Sequence, residues 1–257
     1  MQIDLGMQER IQKKLTAIET ENNVRILFAI ESGSRGWGFS SADSDYDVRF
    51  VYVRKLADYI SFNPPRDVIE IPVDKVLDIN GWDLQKTLKL GIKSNAVIWE
   101  WLQSPIVYRE NRETMAKIRQ VLDPFFSMKK SAHHYFSMFK AMADALAEPR
   151  IKVKKYFYIL RPLLALKWIV ERNGIPPMTF GELRRLITGR DELKEVIDRL
   201  LKLKRSSYEA DEIEADPTIH RFIKVERDKL EQSLENLPVA GGDVAQLDRL
   251  FPNLIRE

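Results

Sequence analysis

Residues 24–53 read VRILFAIESGSRGWGFSSADSDYDVRFVYV, and this stretch decides the fold. It opens on a short run rich in β-branched and aromatic residues, 24–31, that reads as a buried strand. A loop of small and polar residues follows at 32–44. The alternating run 46–53 then reads as a second strand. Between the strands stand glycines at 33, 36 and 38, which let a backbone approach a ligand closely and adopt positive φ. Ser34 adds a hydroxyl, and successive backbone N–H groups in such a turn can cradle phosphate oxygens. Aspartates recur at alternate positions, Asp43, Asp45 and Asp47, with Arg49 next in the series. Residues two apart on a strand face the same way, so these four are expected to share one face. Carboxylates gathered on one face need a cation between them, and Mg²⁺ prefers such hard oxygen ligands. Taken alone, the spacing favours turn residues ahead of a strand. The Gly-Ser turn and the two flanking strands favour a metal site for phosphoryl or nucleotidyl transfer.

Outward from this stretch, 7–22 has the period of an amphipathic helix with Ile11, Leu15 and Ile18 on one side, ended by Asn22-Asn23. Weaker strands are expected at 68–72 and 76–79, around Pro72. Helices are expected at 82–93 and at 96–102, the second capped by Asn95 and broken by Ser104-Pro105. From 111 onward the helical period dominates: 111–122, 128–147, 151–173, 180–188, 191–205 and 218–236. The fold class is therefore α+β, an N-terminal mixed sheet with flanking helices in residues 1–108 and a helical domain in 109–257. No flexible linker separates the two, so a ligand cleft between them is the default expectation.

The chain of 257 residues, 44% hydrophobic and 31% charged, has an ordinary globular balance. It holds no cysteine, which excludes disulfides and thiolate metal sites and fits a cytoplasmic address. The first residues lack an apolar signal core, and no apolar run reaches the about 20 residues of a membrane helix, so no membrane partner is expected. Residues 150–172 carry seven Lys/Arg against one acid, a basic stretch that suits a nucleotide triphosphate or RNA and equally suits a solvated helix face. His133 and His134 are adjacent and point about 100° apart on a helix, which is no metal pair. Oligomeric state has no signature in the sequence.

Gly33-Ser34 followed by Asp45-Tyr46-Asp47 resembles the Gly-Ser … Asp-x-Asp signature of the DNA polymerase beta superfamily of nucleotidyltransferases. Three segments bring the resemblance closer to the predicted nucleotidyltransferases of RNA repair: GSRGWGFSSADSDYDVRFVYV, DINGWDLQKTLKLGIKSNAVIWEWLQSPIVY and YFYILRPLLALKWI. The resemblance implies two Mg²⁺ (or Mn²⁺) ions held by Asp45 and Asp47, and transfer of a nucleoside monophosphate from an NTP to a hydroxyl, with RNA among the acceptors. Gly33 and Ser34 would hold the triphosphate. It also implies a third carboxylate on a later strand. Asp78, flanked by Leu77 and Ile79, is the choice, with Asp83 as the alternative. Arg35 and Arg49 are candidates for phosphate contacts and equally for ion pairs with the aspartates. Trp37 is a candidate base platform or a loop anchor. Lys152 and Lys155, three apart, would share a helix face and reach the triphosphate, as basic residues of a second domain do in related transferases. A competing reading is a catalytically weak nucleotide- or RNA-binding module of the same fold, antitoxin-like in use. An unrelated fold carrying an Asp-rich phosphate site is a further alternative.

Overall fold

In the computed structural model, which describes residues 3–74, 76–206 and 212–256, strands and helices are interspersed through the first half of the chain. The order is α1 (Leu5–Asn22), β1 (Arg25–Glu31), α2 (Gly33–Trp37), β2 (Tyr46–Val53), α3 (Leu56–Tyr59), β3 (Val68–Glu70), β4 (Leu77–Asp83), α4 (Leu84–Ile92), α5 (Ala96–Trp101), β5 (Val107–Glu110) and α6 (Arg112–Leu122). The second half runs α7 (Met128–Ala143), β6 (Arg150–Lys152), α8 (Val153–Arg172), α9 (Phe180–Leu183), α10 (Asp191–Ser206), β7 (Glu212–Glu214), α11 (Pro217–Ser233) and α12 (Val244–Arg256). The fold class is α+β, as expected from the sequence.

Two compact units result: Met1–Gly36 with Asp45–Phe126 and Gly241–Glu257, and Trp37–Ser44 with Ser127–Ala240. In the first, the described strands form a five-stranded sheet ordered β3-β4-β2-β1-β5. β2 and β4 run parallel, while β1 pairs antiparallel with both β2 and β5. α1 starts where the Asp4 carboxylate accepts a hydrogen bond from the Met7 N–H at 2.9 Å, and ends on Asn23 at φ +50°. Its buried stripe of Ile11, Leu15 and Ile18 joins Val48, Phe50, Tyr52, Leu77 and Ile79 in one core. That alternation settles the faces: the even-numbered residues of β2 pack toward α1, and Asp47 and Arg49 lie on the other side. β5 was not foreseen, because four residues after Pro105 give too little alternation to read. β4 runs on to Asp83, beyond the expected strand at 76–79 and into the expected helix at 82–93. α6, expected to open the helical domain, belongs to the sheet-bearing unit, as does α12, which the sequence reading did not anticipate.

In the helical unit α7 packs along α8, whose buried face includes Tyr156, Phe157, Leu160, Leu163 and Leu164. The short pair β6–β7 closes beside the start of α8. Two cations of the basic stretch are interior. Lys167, 7% exposed, bonds Glu226 at 2.6 Å and Glu171 at 2.8 Å. Arg161, 2% exposed, donates to the Met178 carbonyl and lies 4.4 Å from the Trp37 ring. The expected basic face is thus partly consumed in holding the unit together. Residues 37–44 are bound into this unit by aromatic packing. Phe39 stacks on Phe157 with ring centres 5.1 Å apart, Trp37 meets Tyr158 edge-on, and Lys204 donates to the Ser41 hydroxyl at 2.8 Å. Trp37 therefore anchors its segment.

Candidate active site

Residues 33–37, expected as loop, form a short helix directly after β1. Gly33 begins it at φ +55°, a conformation that L side chains rarely adopt. There is also no room for one: a Cβ built on Gly33 would lie 1.9 Å from the Asp47 Oδ2. The glycine turn and the aspartate are thus in direct apposition. The Ser32 N–H donates to the Asp47 carbonyl at 2.8 Å, which ties the turn to the start of β2. Ser34 is buried at the same bend.

Register brings the second carboxylate. On the parallel neighbours β2 and β4, Asp47 stands opposite Asp78. Two like charges side by side are unfavourable unless a cation lies between them. Arg49, two residues beyond Asp47 on the same face, supplies it. Its Nη2 donates to Asp47 Oδ1 at 3.0 Å and to Asp78 Oδ2 at 2.7 Å. Its Nη1 donates to the carbonyls of Asp78 and Val48, each at 3.1 Å. Arg49 is therefore an ion-pair partner of the aspartates. Among the described residues no group of three His, Asp or Glu is close enough to hold a metal ion, which accords with Arg49 bridging this pair.

Asp45 lies one residue before β2 and is exposed, so the strand's alternation does not extend to it. Asp43 is farther outside the strand, so strand alternation places only Asp47 and Arg49 on one face. The Asp45 carbonyl accepts from the Arg35 Nε at 3.1 Å, and the Arg35 guanidinium sits 3.8 Å from the Tyr46 ring. Arg35 thus spans the turn and the strand entry within one unit.

Asp83 stands apart from this group. Five residues along β4 from Asp78 reverses the face. Its carboxylate caps α4 by accepting from the Gln85 N–H at 2.7 Å and accepts from the Tyr59 hydroxyl at 2.7 Å. Burial pushes its pKa up, against the lowering effect of those hydrogen bonds. Lys152 ends β6 and precedes α8 as its N-cap, so it does not share a helix face with Lys155, which is exposed in the first turn of α8.

The sequence reading gave no role to Glu31, the wholly buried last residue of β1. Its Oε1 accepts from the Asp47 N–H at 2.9 Å, and its Oε2 accepts from the Tyr108 hydroxyl at 2.5 Å. Burial pushes the Glu31 carboxyl up to about 7, with the Asp47 charge adding to it and the two hydrogen bonds opposing it. Its signal in the sequence is an acid closing an apolar strand immediately before the glycine turn. Tyr108 had none, because it lies on the unforeseen β5.

The donors gathered here are carboxylate oxygens, the hard ligands that Mg²⁺ takes. A cationic guanidinium already bridges two of them. The donor chemistry of Asp47 and Asp78 suits a divalent ion, while the arrangement seen places a guanidinium between them.

A family model described as the RNA repair pathway DNA polymerase beta family matches residues 7–253. "Uncharacterized protein YcgL" of Bacillus subtilis (strain 168) is 42% identical over 253 residues, covering 98% of this chain and 97% of that protein. A nucleotidyltransferase-like protein from Exiguobacterium sibiricum 255-15, solved by crystallography, aligns over 96% of this chain and 80% of its own at 11% identity and a TM-score of 0.30. No helix among the described residues is long and apolar enough to cross a membrane.

Proposed function

The chain belongs to the RNA repair pathway DNA polymerase beta family, and we propose from that premise that it transfers a nucleoside monophosphate from an NTP to a hydroxyl acceptor, RNA being the acceptor class its family name suggests. The observation that carries this is the apposition of Gly33 and the Asp47 carboxylate, with Asp78 one strand away. It sets a turn suited to phosphate against carboxylates suited to a divalent cation.

Asp45 and Asp47 would hold the metal, with Asp78 as the third carboxylate. When bound, Mg²⁺ (or Mn²⁺) polarises the α-phosphate and lowers the pKa of the attacking hydroxyl. The backbone of Gly33 and Ser34 positions the β- and γ-phosphates, and pyrophosphate departs from that side. Arg35, fixed on the Tyr46 ring, places a second positive charge at the entry to β2. Glu31, holding the Asp47 N–H, keeps that aspartate's backbone in register with the turn.

A second reading draws on one observation. Arg49 neutralises Asp47 and Asp78 without a metal, as in a module that binds nucleotide and does not turn it over. One assay separates the two. The protein is incubated with each α-labelled NTP, Mg²⁺ or Mn²⁺, and RNAs with free hydroxyl ends. Label should enter an acceptor, and Asp45→Asn with Asp47→Asn should abolish it. Transfer that survives the double substitution refutes the site. Tight nucleotide binding with no transfer to any acceptor establishes the second reading.

A further inference from the structure

We infer that Arg49 is a displaceable internal cation that keeps the metal site closed until a triphosphate draws it away, so that metal and nucleotide load together. The inference rests on the assignment of Asp47 and Asp78 made above. It concerns what this chain's own side chain does before substrate arrives.

The geometry sets up a competition for the same oxygens. Asp47 offers two: Oδ2 lies against Gly33, and Oδ1 is held by the Arg49 Nη2. Asp78 offers Oδ2 to the same nitrogen. A cation that joins Asp47 to Asp78 must therefore take the place of that guanidinium edge. The alternative charge arrangement has a ready partner for Arg49. A planar guanidinium fork matches phosphate oxygens as well as carboxylates. A nucleotide carrying its metal brings both halves of the exchange, an anion for Arg49 and a cation for the aspartates. Arg49 and both aspartates face opposite charge before and after.

Exposure makes the exchange accessible. The Arg49 side chain is 15% exposed, Asp47 27% and Asp78 31%, so the pairs sit at the rim of the sheet face. Deeply buried pairs strand a charge when broken; these retain water on one side. The remaining bonds of Arg49, from Nη1 to the Val48 and Asp78 carbonyls, leave those carbonyls to solvent or ligand when it moves. Because linkage is reciprocal, the nucleotide that takes Arg49 must raise metal affinity by the same factor as metal raises nucleotide affinity.

The test measures Mn²⁺ binding by water-proton relaxation enhancement, which distinguishes Mn²⁺ on the protein from Mn²⁺ on free nucleotide. Wild type and Arg49→Met are titrated without nucleotide and with each of the four α,β-methylene NTPs. Nucleotide-free Arg49→Met should bind Mn²⁺ about tenfold more tightly than wild type, a coupling of ordinary size. With nucleotide present that advantage should vanish. Equal affinities in the nucleotide-free state overturn the inference. So does a tightening of the same factor with and without nucleotide, because loss of positive charge alone would do that. Arg49→Lys keeps the charge without the fork and should tighten nucleotide-free binding by a smaller factor; it serves also if the methionine variant fails to fold. Adding Asp47→Asn to Arg49→Met separates the two levels of failure. If Mn²⁺ binding persists undiminished there, the metal-site assignment itself falls. If Asp47→Asn weakens Mn²⁺ in every background while Arg49→Met changes nothing, the site stands and the latch does not.

Discussion

Gly33→Ala asks the site for two things at once, and a second glycine lets them be measured apart. At φ +55° an L-residue is strained by about 1–2 kcal/mol. The new Cβ would also fall 1.9 Å from Asp47 Oδ2 and 2.7 Å from its Cγ, so the carboxylate must move. It cannot rotate without releasing the Arg49 bond at its other oxygen, a charged hydrogen bond of about 1.5–3 kcal/mol. The expected loss of stability is therefore about 2.5–5 kcal/mol. Gly38→Ala is the control. Its φ is +88° and nothing lies within 4 Å of a built Cβ, so it should cost only the strain, about 1–2 kcal/mol. Urea unfolding followed by circular dichroism gives the stabilities, and labelled-NTP transfer by the folded proteins gives the function. Gly33→Ala should lose on the order of 100-fold in transfer, the usual consequence of displacing a reacting group by about 1 Å. Gly38→Ala should retain it. Full transfer by Gly33→Ala, or an equal loss in both variants, would refute the claim that this glycine exists to admit the carboxylate.

Other perturbations probe the frame around the site. Asp83→Ala removes a helix cap and should cost about 0.5–2 kcal/mol while leaving transfer by the folded protein intact; collapse of transfer with the fold preserved would make Asp83 the third carboxylate instead of Asp78. Lys167→Met leaves the Glu226 side chain, 3% exposed, with Arg190 as its cation among the described residues, and should cost about 3–5 kcal/mol. Adding Glu226→Met should recover most of that loss, and strictly additive effects in the double-mutant cycle would show the pair to be uncoupled. Burial acts to lower the Lys167 pKa, but the bonds to Glu171 and Glu226 outweigh it and the net direction is up. Its contribution to stability is thus complete below the ordinary lysine value of about 10.4 and is lost as pH rises through the raised folded value. Urea midpoints should therefore fall above that pH in the wild type, and less steeply in Lys167→Met.

The sequence made the centre of the sheet legible because period and chemistry agreed there. β1 was marked by its run of β-branched and aromatic residues, the bend by its glycines and serine, and β2 by alternation and its aspartates. Asp78 was placed by its apolar neighbours Leu77 and Ile79, and the parallel register then set it beside Asp47. What misled was residues whose local preference was overruled by tertiary contacts. Trp82 is expected to open the helix 82–93. In the fold Asn80, Gly81 and Trp82 are strand, paired with β2, and the Phe50 ring lies 2.2 Å from where a Gly81 Cβ would be. The basic stretch read as a ligand face or a solvated one because sequence cannot show that Arg161 has an indole to lie on, or Lys167 two glutamates to bond. Glu31 is marked in sequence only as an acid closing an apolar strand; its partners, the Asp47 N–H and Tyr108, come from other strands.

The interleaving of the two units sets limits on how this polypeptide can be made and divided. α12 docks through the Leu254 carbonyl on Arg25 and through Phe251 on Tyr59, so the unit that starts first receives its closing helix last. During synthesis on a ribosome the sheet must wait, part-covered, while more than a hundred intervening residues emerge. Residues 37–44 wait in the same way for Phe157, Phe180 and Lys204. Any fragment ending near residue 126 would carry Phe39 bare into water and should aggregate, so neither half can be harvested by a single cut.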